Sequence, residues 1–147
     1  PMAGLAVQPA HLADFCAGTG YFNTFGGNPV AAAAGHAVLR VIRNEGLQQS
    51  AQAVGAQLLD GLRSIAARHD RIAQVRGAGL FLGVDLVDGG APDAAFATQV
   101  VDRMCALGVL IGAAGPYGAT LKLRPPLCLT PAEADQFLEK LERALSG

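Results

Sequence analysis

A change of hydrophobic period near the middle of the chain limits the folds open to it. Leu47, Ala51, Val54, Leu58, Leu62 and Ile65 recur at steps of three and four, the spacing of one helix face. That pattern predicts a helix running to about His69. Further on, Leu80, Leu82, Val84 and Leu86 alternate with Phe81, Gly83 and Asp85, the period of a strand with one buried face. An earlier helix opens with Asn28 as N-cap and Pro29 at the first helical position, where a missing N–H costs nothing. Its stripe is Val30, Ala34, Ala37, Val38, Val41 and Ile42, and Gly46 stops it.

The remaining segments follow from the same rules. Residues 2–7 read as a strand or its tail, 10–16 as one or two helical turns, and 17–27 as a glycine-rich loop. Residues 88–93 form a turn. Phe96, Val100, Met104 and Leu107 mark a helix that Gly108 ends. Residues 109–111 read as a short strand and 112–118 as a loop. Residues 120–124 form a strand with Leu121 and Leu123 on one face, Lys122 and Arg124 on the other. Thr130-Pro131-Ala132-Glu133 is a capping box that opens a last helix. The economical packing is an α/β arrangement, a small, largely antiparallel sheet covered by helices and preceded by long linking helices.

Charge and composition exclude several functions. The net charge is −1 with no basic run, which argues against nucleic acid as a partner. No stretch reaches eighteen consecutive apolar residues, so no membrane span is expected. Cys16, Cys105 and Cys128 are odd in number and widely spaced, which fits free thiols and a cytoplasmic location rather than a disulfide framework. Metal-ligand spacings, phosphate-loop motifs and serine-nucleophile motifs are missing. Gly77, Gly79 and Gly83 enter a strand rather than a helix, so a tight turn and close packing explain them better than a dinucleotide site.

Two features could meet an anion. Thr24-Phe25-Gly26-Gly27-Asn28-Pro29 puts a hydroxyl and two glycines just before a helix N-terminus, where backbone N–H groups and the helix dipole favour phosphate. An ordinary capped, glycine-rich loop explains the spacing alone better. Lys122 and Arg124 could bind a carboxylate or phosphate, or line a solvated strand edge.

Three collinear blocks carry a resemblance. Residues 21–30, Tyr-Phe-Asn-Thr-Phe-Gly-Gly-Asn-Pro-Val, resemble a hallmark of class III (omega-type) aminotransferases, fold-type I pyridoxal-phosphate (PLP) enzymes. Residues 75–84, Val-Arg-Gly-Ala-Gly-Leu-Phe-Leu-Gly-Val, look like a strand of that family. Residues 121–127, Leu-Lys-Leu-Arg-Pro-Pro-Leu, look like its late strand ending in Pro-Pro. With Cys128, this last block resembles the branch of alanine–glyoxylate aminotransferase 2-like proteins and phospho-lyases.

The resemblance implies a PLP enzyme moving an amino group between an amine or amino acid and a 2-oxo acid, as a homodimer or larger assembly. It implies that Thr24 binds the PLP phosphate across the dimer interface, and that Lys122, with Arg124 nearby, stands where relatives hold the substrate carboxylate. It places residues 1–28 in the tail of the PLP-binding large domain and 29–147 in the linking helices and C-terminal small domain. Pro1-Met2-Ala3-Gly4 matches the stretch that follows the family's PLP lysine. The only lysines here are Lys122 and Lys140, in neither case in that context. The expectation is a C-terminal fragment with no catalytic lysine and no activity alone. Phosphate elimination, or a non-catalytic oligomerisation module, are the alternatives.

Overall fold

Backbone pairing decides where the strands lie in the computed structural model, which describes residues 3–147. The chain divides into a first unit up to Glu45 and a second from Gly46 to Gly147. The first carries α1 (Pro9–Gly18) and α2 (Pro29–Asn44). The Asn28 side-chain oxygen accepts from the backbone N–H of Val30 at 2.9 Å and of Ala31 at 3.2 Å, so the expected cap is formed. The α2 stripe forms too, but neither helix contains a buried residue. Periodicity says which helix face could be buried, whereas burial itself needs a covering surface. The strand expected over residues 2–7 is not seen. Met2 lies outside the described residues, and 3–7 are irregular. Strand backbone groups need a neighbour, and among the described residues none pairs with this segment.

The second unit runs α3 (Leu47–Ala66), β1 (Ile72–Ala78), β2 (Phe81–Asp88), β3 (Ala91–Pro92), α4 (Ala94–Ala106), β4 (Gly112–Ala114), β5 (Thr120–Leu123) and α5 (Pro131–Ser146). The sheet order is β1-β2-β5-β4, with β3 folded back on β2, and every pair is antiparallel. Leu82, Val84 and Leu86 of β2 and Leu121 and Leu123 of β5 face one way. They meet Val54, Leu58, Leu62 and Ile65 of α3, Phe96, Val100 and Met104 of α4, and Leu141 and Leu145 of α5. This is the helix-covered antiparallel sheet that the two periods predict. Both halves of the Thr130–Glu133 capping box are present at α5.

Two strand placements differ from expectation. Residues 109–111 are not a strand. The Val109 N–H donates to Met104 O at 2.9 Å, closing the end of α4. The strand is β4, inside the expected loop, because Gly112, Ala113 and Ala114 stand opposite Lys122, Leu121 and Thr120. The block 75–84 is two strands rather than one, folded at Gly79 and Leu80 into the β1–β2 hairpin.

Glycines set the close approaches. A Cβ on Gly55 of α3 would lie 2.2 Å from the Gly79 carbonyl oxygen, and one on Gly61 would lie 2.3 Å from Leu138 Cδ1. Mid-helix glycine costs about 1 kcal/mol relative to alanine. Here it lets α3 lie directly on the hairpin turn and on α5.

Candidate functional site

Thr24 lies in an exposed turn over residues 24–27. Asn23 builds this turn, since its Oδ1 accepts from Phe25 N at 3.1 Å and its carbonyl from Gly26 N at 3.1 Å. The helix end does not offer the free N–H groups expected of an anion site, because Asn28 already takes those of Val30 and Ala31. Besides the N–H groups of Gly27 and Asn28, the donors left are on Thr24. Neither its hydroxyl nor its N–H is in a hydrogen bond among the described residues. Gly27, at φ 73, has no atom within 4 Å of where a Cβ would stand, so an oxyanion can come close to the backbone. One hydroxyl and one N–H beside an open glycine fit a phosphate group.

Lys122 and Arg124 lie in the second unit. Leu121 and Leu123 are buried against the helices, so Lys122 stands on the open sheet face, half-buried, while Arg124 is exposed beyond the strand end. Glycines flank Lys122 across both neighbouring strands, Gly83 on β2 and Gly112 on β4. Both cations also line a cleft of about 630 Å³ between the end of β5, residues 108–112 and α5. The structure therefore brings these two predicted residues together. Thr24 belongs to the other unit, where it stands on its own turn.

Sequence reading did not pick out the polar array beside Lys122. Asp85 of β2 accepts from Thr120 Oγ1 at 2.6 Å and from the Arg76 guanidinium, and Arg76 also reaches Gln74. Alternation on β2 and β5 was the available signal, since it puts Asp85, Thr120 and Lys122 on one face. Burial pushes the Asp85 carboxyl pKa up, but the hydrogen bonds from Arg76 and Thr120 and the guanidinium charge outweigh it and hold the value below the ordinary one. The stabilisation is then complete above the unfolded-state pKa of about 3.9. It is lost as pH falls through the lower folded-state value. Urea unfolding across that range should show a steeper acid loss for the natural protein than for Asp85→Asn. Equal slopes would mean that Asp85 is uncoupled from Arg76.

The family described as Aminotransferase class-III matches residues 2–145. Over 146 residues the chain is 41% identical to alanine–glyoxylate aminotransferase 2 homolog 2, mitochondrial, of Arabidopsis thaliana, covering 97% of this chain and 31% of that protein. Among solved structures it is similar to a phospholyase from Arthrobacter in complex with phosphoethanolamine, with TM-score 0.86, 39% identity and coverage of 95% of this chain and 34% of that one. It is also similar to a PLP-bound amine transaminase from an uncultivated Pseudomonas species, with TM-score 0.79, 35% identity and coverage of 90% and 30%. The chain thus spans only about a third of the length of the proteins it matches.

Proposed function

The chain belongs to the class-III aminotransferase family, and we propose that the enzyme containing it transfers an amino group between an amine or amino acid and a 2-oxo acid with the aid of PLP. The family match across residues 2–145 carries this reading. When bound, PLP supplies the electron sink for the transfer. The residues of this chain bind and orient. Thr24 donates its hydroxyl and N–H hydrogens to the phosphate. Lys122 or Arg124 holds the anionic group of the substrate, Lys122 as a point charge and Arg124 as a planar fork.

The exposed rings of Tyr21, Phe22 and Phe25 around Thr24 support a second subunit over this turn, hence a homodimer with the phosphate site shared across it. The Asn28–Pro29 helix start supports a boundary between a large-domain tail, 1–28, and the linking helices and small domain, 29–147. No helix among the described residues is long and apolar enough to cross a membrane. Three free cysteines support a reducing compartment, the cytoplasm in our reading, although the Arabidopsis relative is named mitochondrial.

The test uses a polypeptide of the relatives' length that contains this segment. Replacing Thr24 by Val removes one charge-assisted hydrogen bond, so PLP should bind roughly tenfold to a hundredfold more weakly. Equilibrium dialysis measures this. Unchanged PLP affinity would remove Thr24 from the site, and turnover without PLP would remove the whole reading. The 147-residue chain alone should show no transamination, because Lys122 lies on β5 and Lys140 on α5, and neither stands in the context of the family's PLP lysine.

Similarity to the Arthrobacter phospholyase favours a second reading, elimination of phosphate from a phosphorylated amine. Release of inorganic phosphate from phosphoethanolamine by the long polypeptide, with no amino transfer to a 2-oxo acid, would establish it in place of the first.

A further inference from the structure

The cleft at the end of β5 has a lining of two kinds. Val109, Leu129 and Phe137, each half-buried, supply apolar surface. Three cationic residues, Lys122, Arg124 and Lys140, also line it, together with a single acidic one, Glu133. Its carboxylate is already engaged. Glu133 Oε2 accepts from Thr130 N at 2.8 Å and from Thr130 Oγ1 at 2.7 Å, closing the capping box. None of the three cations has a carboxylate within ion-pair distance among the described residues. A volume of about 630 Å³ lies in the range of small-molecule pockets. Cations without partners beside apolar side chains complement a molecule that is anionic at one end and apolar along its length.

We propose that this cleft binds an amphipathic anion, a carboxylate on a short unbranched apolar tail. Lys140 is its third recognising cation, and Val109, Leu129 and Phe137 are the surface for the tail. The inference rests on the reading of Lys122 and Arg124 as anion-holding residues. It goes further in giving the ligand a tail and Lys140 a role. The carboxylate meets the cations at the rim, and the methylenes leave water against the apolar side chains. Each additional buried methylene favours the longer acid.

The experiment titrates the 147-residue chain with hexanoate, acetate and hexan-1-ol, following backbone amide shifts by NMR. Hexanoate should bind at least tenfold more tightly than acetate or hexanol, with shifts at residues 108–112, 122–126 and 136–140. Lys140→Glu should abolish the preference for hexanoate over hexan-1-ol. Gln136→Trp, at an exposed position of α5 on the cleft, should block hexanoate while leaving the far-ultraviolet circular dichroism unchanged. It therefore tests the site even if the charge reversal disturbs folding. Equal binding of acetate and hexanoate, with shifts confined to Lys122 and Arg124, would overturn the tail and leave the anion-holding pair standing. Shifts with neither acid would overturn both. Equal binding of hexanol would make the cleft merely apolar and overturn the anionic ligand.

Discussion

Gly77→Ala should cost the second unit about 3–5 kcal/mol, a large share of the stability of a typical domain. Two penalties fall on one atom. At Gly77 φ is 141, a region almost reserved for glycine, and a Cβ would sit 2.2 Å from Phe81 O and 2.8 Å from Leu82 Cα. Both obstacles are backbone of the paired strand, where Gly77 stands opposite Leu82. Relief would require moving β2, which carries Leu82, Val84 and Leu86 into the core. Gly90→Ala separates the two penalties. Gly90 also has positive φ, 85, but nothing lies within 4 Å of its Cβ position, so only the backbone term of about 1 kcal/mol remains. Urea unfolding of both variants decides the matter. A Gly77→Ala loss no larger than that of Gly90→Ala would show that β1 and β2 do not approach so closely.

The second large effect is expected at Leu62. Its side chain is fully buried, at 0% exposure, among residues of the sheet and the other helices. Truncation to Ala removes the transfer free energy of the lost carbons and leaves a cavity, together about 2–5 kcal/mol. Val38→Ala on α2 is the contrast. Val38 also belongs to a helical apolar stripe, yet it is 57% exposed in this chain. Its truncation should change stability by less than about 0.5 kcal/mol. A comparable loss at both positions would mean that α2 is buried in solution by a surface the isolated chain does not show, such as a second copy.

That contrast marks how far sequence reading goes for this fold. The α3 stripe, the alternation on β2, the Asn28 cap and the Thr130–Glu133 box are local regularities. They are set by side-chain spacing within a few residues, and all four appear in the structure. The shifted β4 was not legible. Gly112, Ala113 and Ala114 have no side-chain pattern of their own and become a strand only because β5 lies beside them with free backbone groups. The tight turn and close packing read at Gly77 and Gly79 are there, but β1 was not legible, inside a block that resembles one strand.

The candidate site divides along the same line. The residues able to meet anions were legible from the chain alone. Thr24 beside two glycines, and Lys122 with Arg124 after an apolar alternation, are chemical identities at fixed spacing. Long-range packing then settles which cations find a partner. Asp85 of β2 takes up Arg76 of β1, while Lys122, between two glycines, has no carboxylate within ion-pair distance among the described residues. Lys140 lies far along the chain from Lys122 and on another element, and helix α5 carries it to the same cleft. Spacing determines what a residue can do, but hydrogen bonds and ion pairs saturate. Which groups stay free depends on which partners the packed chain brings within a few ångströms.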